Sequence, residues 1–461
     1  MIIKNDTVIA ANRFGLGARP GELDYIGDGP REWLSSQILK DSALSGAMKK
    51  LPGSISAARK YVRFIKLQKD AARQADARSA KHELNMRDFS PYTIYRHHAV
   101  ARAIHAITTT DPFLERLVHF WSNHFALSTT NRRMFGLVGS LEIEAIRPNI
   151  NRSFYELLLA VEQHPAMLVF LNNDQSIGPD SRIAKRQKHR KTGINENLGR
   201  ETLELHTLGV NGGYTQADVI EYAKAITGWG VGGLGFDRKR AMGKFYFNPG
   251  LHEPGSRTIL GKVYPEGGLE QGEAVLRDLA RHPATARHIA TKLVRHFISD
   301  KPTAACVDRL ARIFLESGGH LPSVYQALID TREAWQEVRG KYKTPQDLIY
   351  SAFRALNYLP HNSNLFLRDF NALGQSPWKP GSPAGWPDTE AAWAGSDSLY
   401  ARLQFAGEMA ARTGSRAEPE YLAASALGPT LSNTTMKAIR RAESAEQGVA
   451  LLLSSPEFQR R

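Results

Sequence analysis

The segment from Gly193 to Trp229, GINENLGRETLELHTLGVNGGYTQADVIEYAKAITGW, constrains the fold more than any other stretch of the chain. It reads as a helix, a glycine-rich turn and a second helix, with Leu198, Leu205 and Leu208 on an apolar side. Such a unit cannot bury its own apolar faces and must pack on further helices. Its polar residues are spaced to meet. Glu196 and Arg200 are four apart, as are Arg200 and Glu204, while Asn197, Glu201 and Glu204 share a face. Two readings of that face stand. One is an ion-pair ladder on an exposed helix with His206 incidental. In the other, Glu201, Glu204 and His206 face a cleft opposite Glu115, His119 and His124.

Helical patterns dominate elsewhere. Asp111 reads as an N-cap with Pro112 opening the helix PFLERLVHFWSNHFAL, on which Glu115, His119 and Asn123 fall on one face. Ser54 to Asn85 predicts one long basic helix with a thin apolar stripe. Ser140 to Ile146 predicts a helix end before Pro148. Phe154–Val161 and Ala166–Leu171 read as buried helices broken at His164-Pro165, and the His-Pro-Ala start recurs in HPATARHIATKLVRHF. Three identical residues do not make a repeat. Lys244–Phe247 and Arg257–Leu260 predict a small hairpin around His252-Glu253. Gly230 to Gly235 matches G-x-G-x-x-G by spacing, but it follows a predicted helix and opens none, which argues against dinucleotide binding. The fold class expected is mainly α, a multi-helical globular fold with one small β-hairpin excursion. Its parts are 1–175, 176–265 (basic loop, Glu/His helix, hairpin) and 266–461, in one compact unit.

Charge adds a second constraint. The net charge is +14, and twelve of those charges lie in two places. Arg59 to Arg87 holds nine Lys or Arg against three acids, and Arg182 to Lys191 holds six with no acid. Such concentration attracts anionic polymers or surfaces, although a solvated helix face and loop would carry it equally well. No apolar run approaches the ~20 residues that span a bilayer, and no signal peptide is visible, so the cytoplasm is the expected compartment. The one cysteine, Cys306, excludes an internal disulfide and a cysteine-built zinc site.

Several residues could carry chemistry. Carboxylates and imidazoles together suit acid–base work, which nominates Glu201, Glu204 and His119 as catalytic. The same pattern could hold a divalent metal through Glu201, Glu204, His206, His124 and His252, although the spacing fits neither HExxH nor the Glu-x-x-His of di-iron bundles. Arg200 with Lys185, Arg186, Lys188 and Arg190 would hold an anionic substrate. In GQSPWKPGSPAGWPDTEAAW, Trp378, Trp386 and Trp393 either form a stacking platform for sugar rings, with Trp386 substrate-binding, or strap an apolar lid over the core.

The chain also resembles a family. AANRFGLGARPGE, RLVHFWSNHFAL, EIEAIRPNI, HPAMLVFLNN, the long NENLGRETLELHTLGVNGGYTQADVIEYAKAITGW, HEPGSRTILG, HPATARHIATKLVRHF, GQSPWKPGSPAGWP and LLLSSPEFQ together are similar to the bacterial domain-of-unknown-function family 1800, over essentially the whole chain. The resemblance implies no established activity. Many members look exported and accompany proteins similar to the alkaline-phosphatase and sulfatase superfamily, implying a periplasmic or exported role and a partner of that kind. Where the family often has His-Asp, this chain has His252-Glu253, which keeps a carboxylate.

The functional expectation is a hydrolase or transferase acting on an anionic or glycan polymer through a Glu/His cluster, directly or with a metal. The alternative is a non-catalytic polyanion-binding or assembly protein whose charged helix is a structural network. Nucleic acid is the poorer partner, since no reading motif or interleaved basic–aromatic stretch accompanies the charge.

Overall fold

Why the chain divides into so many short helices is visible at their ends. Three helices open with capping boxes: Ser153 with Glu156, Thr215 with Asp218, and Thr344 with Asp347. The recurring His-Pro-Ala is also a cap. His164 and His282 each accept the backbone N–H two residues on through Nδ1, at 3.1 Å, while proline takes the first helical position. Asp111 stands at a helix start without capping it; its carboxylate bonds Lys40 at 2.5 Å, and Gln37 accepts the Phe113 N–H instead.

The computed structural model describes residues 3–42, 44–73, 77–186, 193–234, 242–336, 340–360, 362, 364–415 and 417–461. The fold is mainly α, with two small antiparallel strand pairs. Trp229–Val231 pairs with Phe245–Phe247, and Arg257–Ile259 pairs with Lys262–Tyr264. The two runs expected to form one hairpin therefore take different partners. The predicted basic helix is two, Ser54–Ala71 and Ala77–Asn85.

Pro148 does not end its helix. The Arg132–Leu141 helix widens into a π turn at Glu142–Ile146 and continues through Arg147–Asn149. The wider turn accommodates the residue that cannot donate a backbone bond. Two further π turns lie at Ala10–Phe14 and Thr202–Thr207. In the last, the Thr207 hydroxyl donates to the Thr202 carbonyl at 2.6 Å and the Leu208 N–H reaches back five residues to Leu203, at 3.0 Å.

Among the described residues, two large apolar cores and two small satellite clusters result. The larger draws on the whole length from Ile9 to Trp335, including Phe14, Trp121, Phe154, Tyr222, Trp229 and Tyr325. The second gathers Leu16, Ile107, Phe353, Phe370, Phe405, Met409 and Leu452. The larger core thus crosses all three of the sequence parts. Among the described residues, no helix is long and apolar enough to cross a membrane.

Candidate functional site

A cleft of about 700 Å³ opens where the two cores meet. One wall is the aromatic helix Pro112–His124, which contributes Arg116, His119 and Asn123. Opposite stand Thr344, Gln346 and Asp347 from the start of the Pro345–Ala355 helix. The segment from Gln375 to Trp393, rich in proline and tryptophan, passes over the mouth.

That strap is tied down residue by residue. Tyr95 donates to the Pro377 carbonyl, Thr129 to that of Trp378 and Ser128 to that of Pro380. Asn123 clamps Trp386 at both ends, accepting its N–H at 2.8 Å and donating to its carbonyl at 2.9 Å. Gly385 has φ +86°, and a Cβ there would lie 2.4 Å from the Asn123 carbonyl oxygen, so only glycine allows the approach. Trp378 holds φ +49°, a conformation that a bulky side chain adopts only when its surroundings impose it.

Ionisable groups crowd the floor. Asp347 pairs with Arg116 at 2.9 Å and Arg461 at 3.1 Å, which overcome burial and hold its carboxyl well below the usual range. Asp388 accepts from His296 Nδ1 at 2.5 Å, and Lys341 and Arg461 lie at 3.5 and 3.7 Å. Burial would raise Asp388; these neighbours bring it down to about 2. Burial also pushes the His296 imidazole below its ordinary value. Its Nε2 is buried and has no hydrogen-bond partner. The arrangement is a neutral imidazole oriented by an ionised carboxylate, the same logic that poises a general base in hydrolases.

A second cavity, of about 580 Å³, adjoins the first and shares Asn123, His296, Trp386, Pro387 and Asp388 with it. It adds Phe120, His124, Lys292 and Arg295. Lys292, Arg295 and His296 stand at i, i+3 and i+4 on the Pro283–Phe297 helix, which explains why one helix serves both cavities.

The model of the family described as Protein of unknown function (DUF1800) matches residues 9–460. The chain belongs to this family. No curated protein and no solved structure matches it.

Within this DUF1800 protein the residues nominated from sequence separate. His119 and Trp386 line the same cleft. His119 lies 3.1 Å from Glu115, and burial with the nearby Arg102 pushes its imidazole down to about 4. His124 donates from Nε2 to the His206 carbonyl at 3.1 Å, so the two expected helices do meet there. The His206 ring turns elsewhere, placing Nδ1 2.7 Å from Glu162, a buried carboxylate that also accepts from Thr202. Glu204 accepts from Tyr214, and Glu201, half-buried, lines neither cavity. Arg200 pairs with Glu196 and donates to Gln216. His252 donates to the Thr227 carbonyl at 3.0 Å and ties its loop to a helix end. Among the described residues, no three His, Cys, Asp or Glu side chains group so as to hold a metal ion, so Glu201, Glu204, His206, His124 and His252 are not assembled as a ligand set. Lys185 and Arg186 are exposed on a short helix, Arg182–Arg186; Lys188 and Arg190 lie outside the described residues.

Sequence reasoning missed His296 and Asp388. The spacing of His288, Lys292, Arg295 and His296 along one helix face was the available signal on one side. Nothing local to Trp386-Pro387-Asp388 announces its partner 92 residues away.

Proposed function

We propose that this protein is a hydrolase or transferase acting on an anionic or glycan polymer, with His296 as general base and Asp388 as the group that orients it. The carrying observation is the His296–Asp388 pair at 2.5 Å, part-buried beside a cleft walled by Arg116, Asn123 and Trp386. His296 Nε2 would take the proton from an attacking water or acceptor hydroxyl, and Asp388 would stabilise the imidazolium that forms. Trp386 offers a face for a sugar ring. A partner resembling the alkaline-phosphatase and sulfatase superfamily would fit the same class of anionic material.

The test is turnover of a panel of anionic and neutral polysaccharides, read as new chain ends. His296→Gln is expected to lower kcat roughly 100- to 10,000-fold while the melting temperature stays near that of the parent. Unchanged turnover by this variant would sink the proposal.

A second reading, a non-catalytic polyanion binder, is favoured by the exposed cations Lys185 and Arg186. It expects heparin retention that falls with salt and drops in a Lys185→Glu, Arg186→Glu double variant. Identical elution of parent and variant would reject it.

A further inference from the structure

The carboxylates around the first cleft are matched. Asp347, Asp388 and Asp300 face Arg116, Arg461 and Lys341, which interlock with them as ion pairs. Deeper in, Glu115 and Glu142 face Arg147 and Arg102. Lys292 and Arg295 remain. Among the described residues neither makes an ion pair or a hydrogen bond to a side chain, and both line the second cavity, whose one carboxylate, Asp388, is already engaged. Burial, with Arg295 nearby, pushes the Lys292 ammonium down to about 8 even with Asp388 in range, the behaviour of a cation set into a wall without its counter-charge.

The same wall supplies one acceptor. Because His124 Nε2 donates to a carbonyl, its Nδ1 is bare, buried and without a partner. Burial, with Lys292 adding, holds that ring neutral. Two unmatched cations of different geometry, one a fork and one a point charge, with a neutral acceptor beside them suit a group that carries two charges and can also present a hydroxyl.

We infer that the second cavity is a subsite for a tetrahedral oxyanion, the hydrogen phosphate dianion in the first instance, held by Lys292 and Arg295 with its hydroxyl toward His124 Nδ1. Its role as holder of a substrate's anionic group rests on the enzymatic reading of the adjoining cleft; its capacity to bind the oxyanion does not. Asn123, His296, Trp386, Pro387 and Asp388 line both cavities, so the bound group would sit beside His296.

The experiment labels lysines of the full chain with an acylating reagent at pH 8 and maps the peptides by mass. Inorganic phosphate at ten times its dissociation constant is expected to slow labelling of Lys292 about tenfold, with exposed Lys301 as the unaffected control. Sulfate and acetate run in parallel should protect less, and potassium chloride at matched ionic strength not at all. Arg295→Gln should lose the protection and Arg295→Lys should keep part of it. Absent protection, equal protection by chloride, or full protection in Arg295→Gln overturns the inference. Protection without turnover of any polymer removes the enzymatic reading alone. Turnover that needs His296 but proceeds with no phosphate protection removes the subsite alone.

Discussion

Two clusters of ionisable groups in this molecule differ in how far their charges are matched. In the first, Arg147 grips Glu115 with both terminal nitrogens at 2.7 Å and reaches Glu142 at 3.0 Å. Arg102 closes the set on Glu142 at 2.7 Å, and His105 and His119 flank Glu115. Each carboxylate has its arginine. The second cluster, on the Pro283–Phe297 helix, has Lys292 and Arg295 with no acid of their own and a histidine with one nitrogen unused. Unmatched charge is what distinguishes the second cluster from the first, whose carboxylates each have an arginine.

The sharpest way to break this comparison is to delete one member of each cluster. Arg147→Met leaves two buried carboxylates without their cation and is expected to cost about 3–5 kcal/mol in denaturant unfolding. Lys292→Met removes an unmatched cation and should change stability by less than about 1 kcal/mol in either direction. Equal losses would show that the second cluster is as closed as the first.

Acid probes the closed cluster next. The His119 imidazole is pushed to about 4 in the folded chain, against roughly 6.5 unfolded. Between those values the unfolded chain binds more protons, so stability present above pH ~6.5 is lost as pH falls toward 4. Asp347 and Asp388 are held below the usual range, so their contribution is kept above pH ~4 and disappears only beneath it. Melting temperatures from pH 7 to 4.5 should therefore fall, and His119→Gln should remove part of that slope, at most about 3 kcal/mol. An unchanged slope would mean that His119 is protonated in the fold.

A smaller effect tests the strap that both cavities share. Gly385→Ala places a Cβ against the Asn123 carbonyl at a positive φ and is expected to cost about 1–3 kcal/mol. Hydrogen exchange of the Trp386 amide, bonded to Asn123 in the parent, should accelerate in the variant. Parent-like exchange would show that the clamp does not depend on this glycine.

What was legible beforehand followed from range. The capping boxes at Ser153, Thr215 and Thr344 close within three residues, so a local pattern could have disclosed them, although the sequence reading named only Asp111, which does not cap. The polar row Glu115, His119, Asn123 was readable for the same reason, as was the mainly α class. The two expected helices do meet at His124 and His206, but the particular side-chain and strand partners that come from far away were not foreseen. Phe245–Phe247 pairs with Trp229–Val231 and not with the next strand-like run, because the core around Trp229 selects the register. His206 turns onto Glu162 because a π turn adds a residue to its helix and rotates everything after Thr202 away from simple i+4 spacing.

By itself, then, the sequence determined the helical class, the strap's irregular backbone and the places where charge concentrates. These are local matters of propensity, spacing and backbone bonding. The tertiary structure alone decided that His296 meets Asp388, that Arg147 answers Glu115 and that Lys292 and Arg295 are left over. Each of those outcomes depends on which distant carboxylate packing delivers to a buried cation, and the cost of burying a charge makes the pairing decisive.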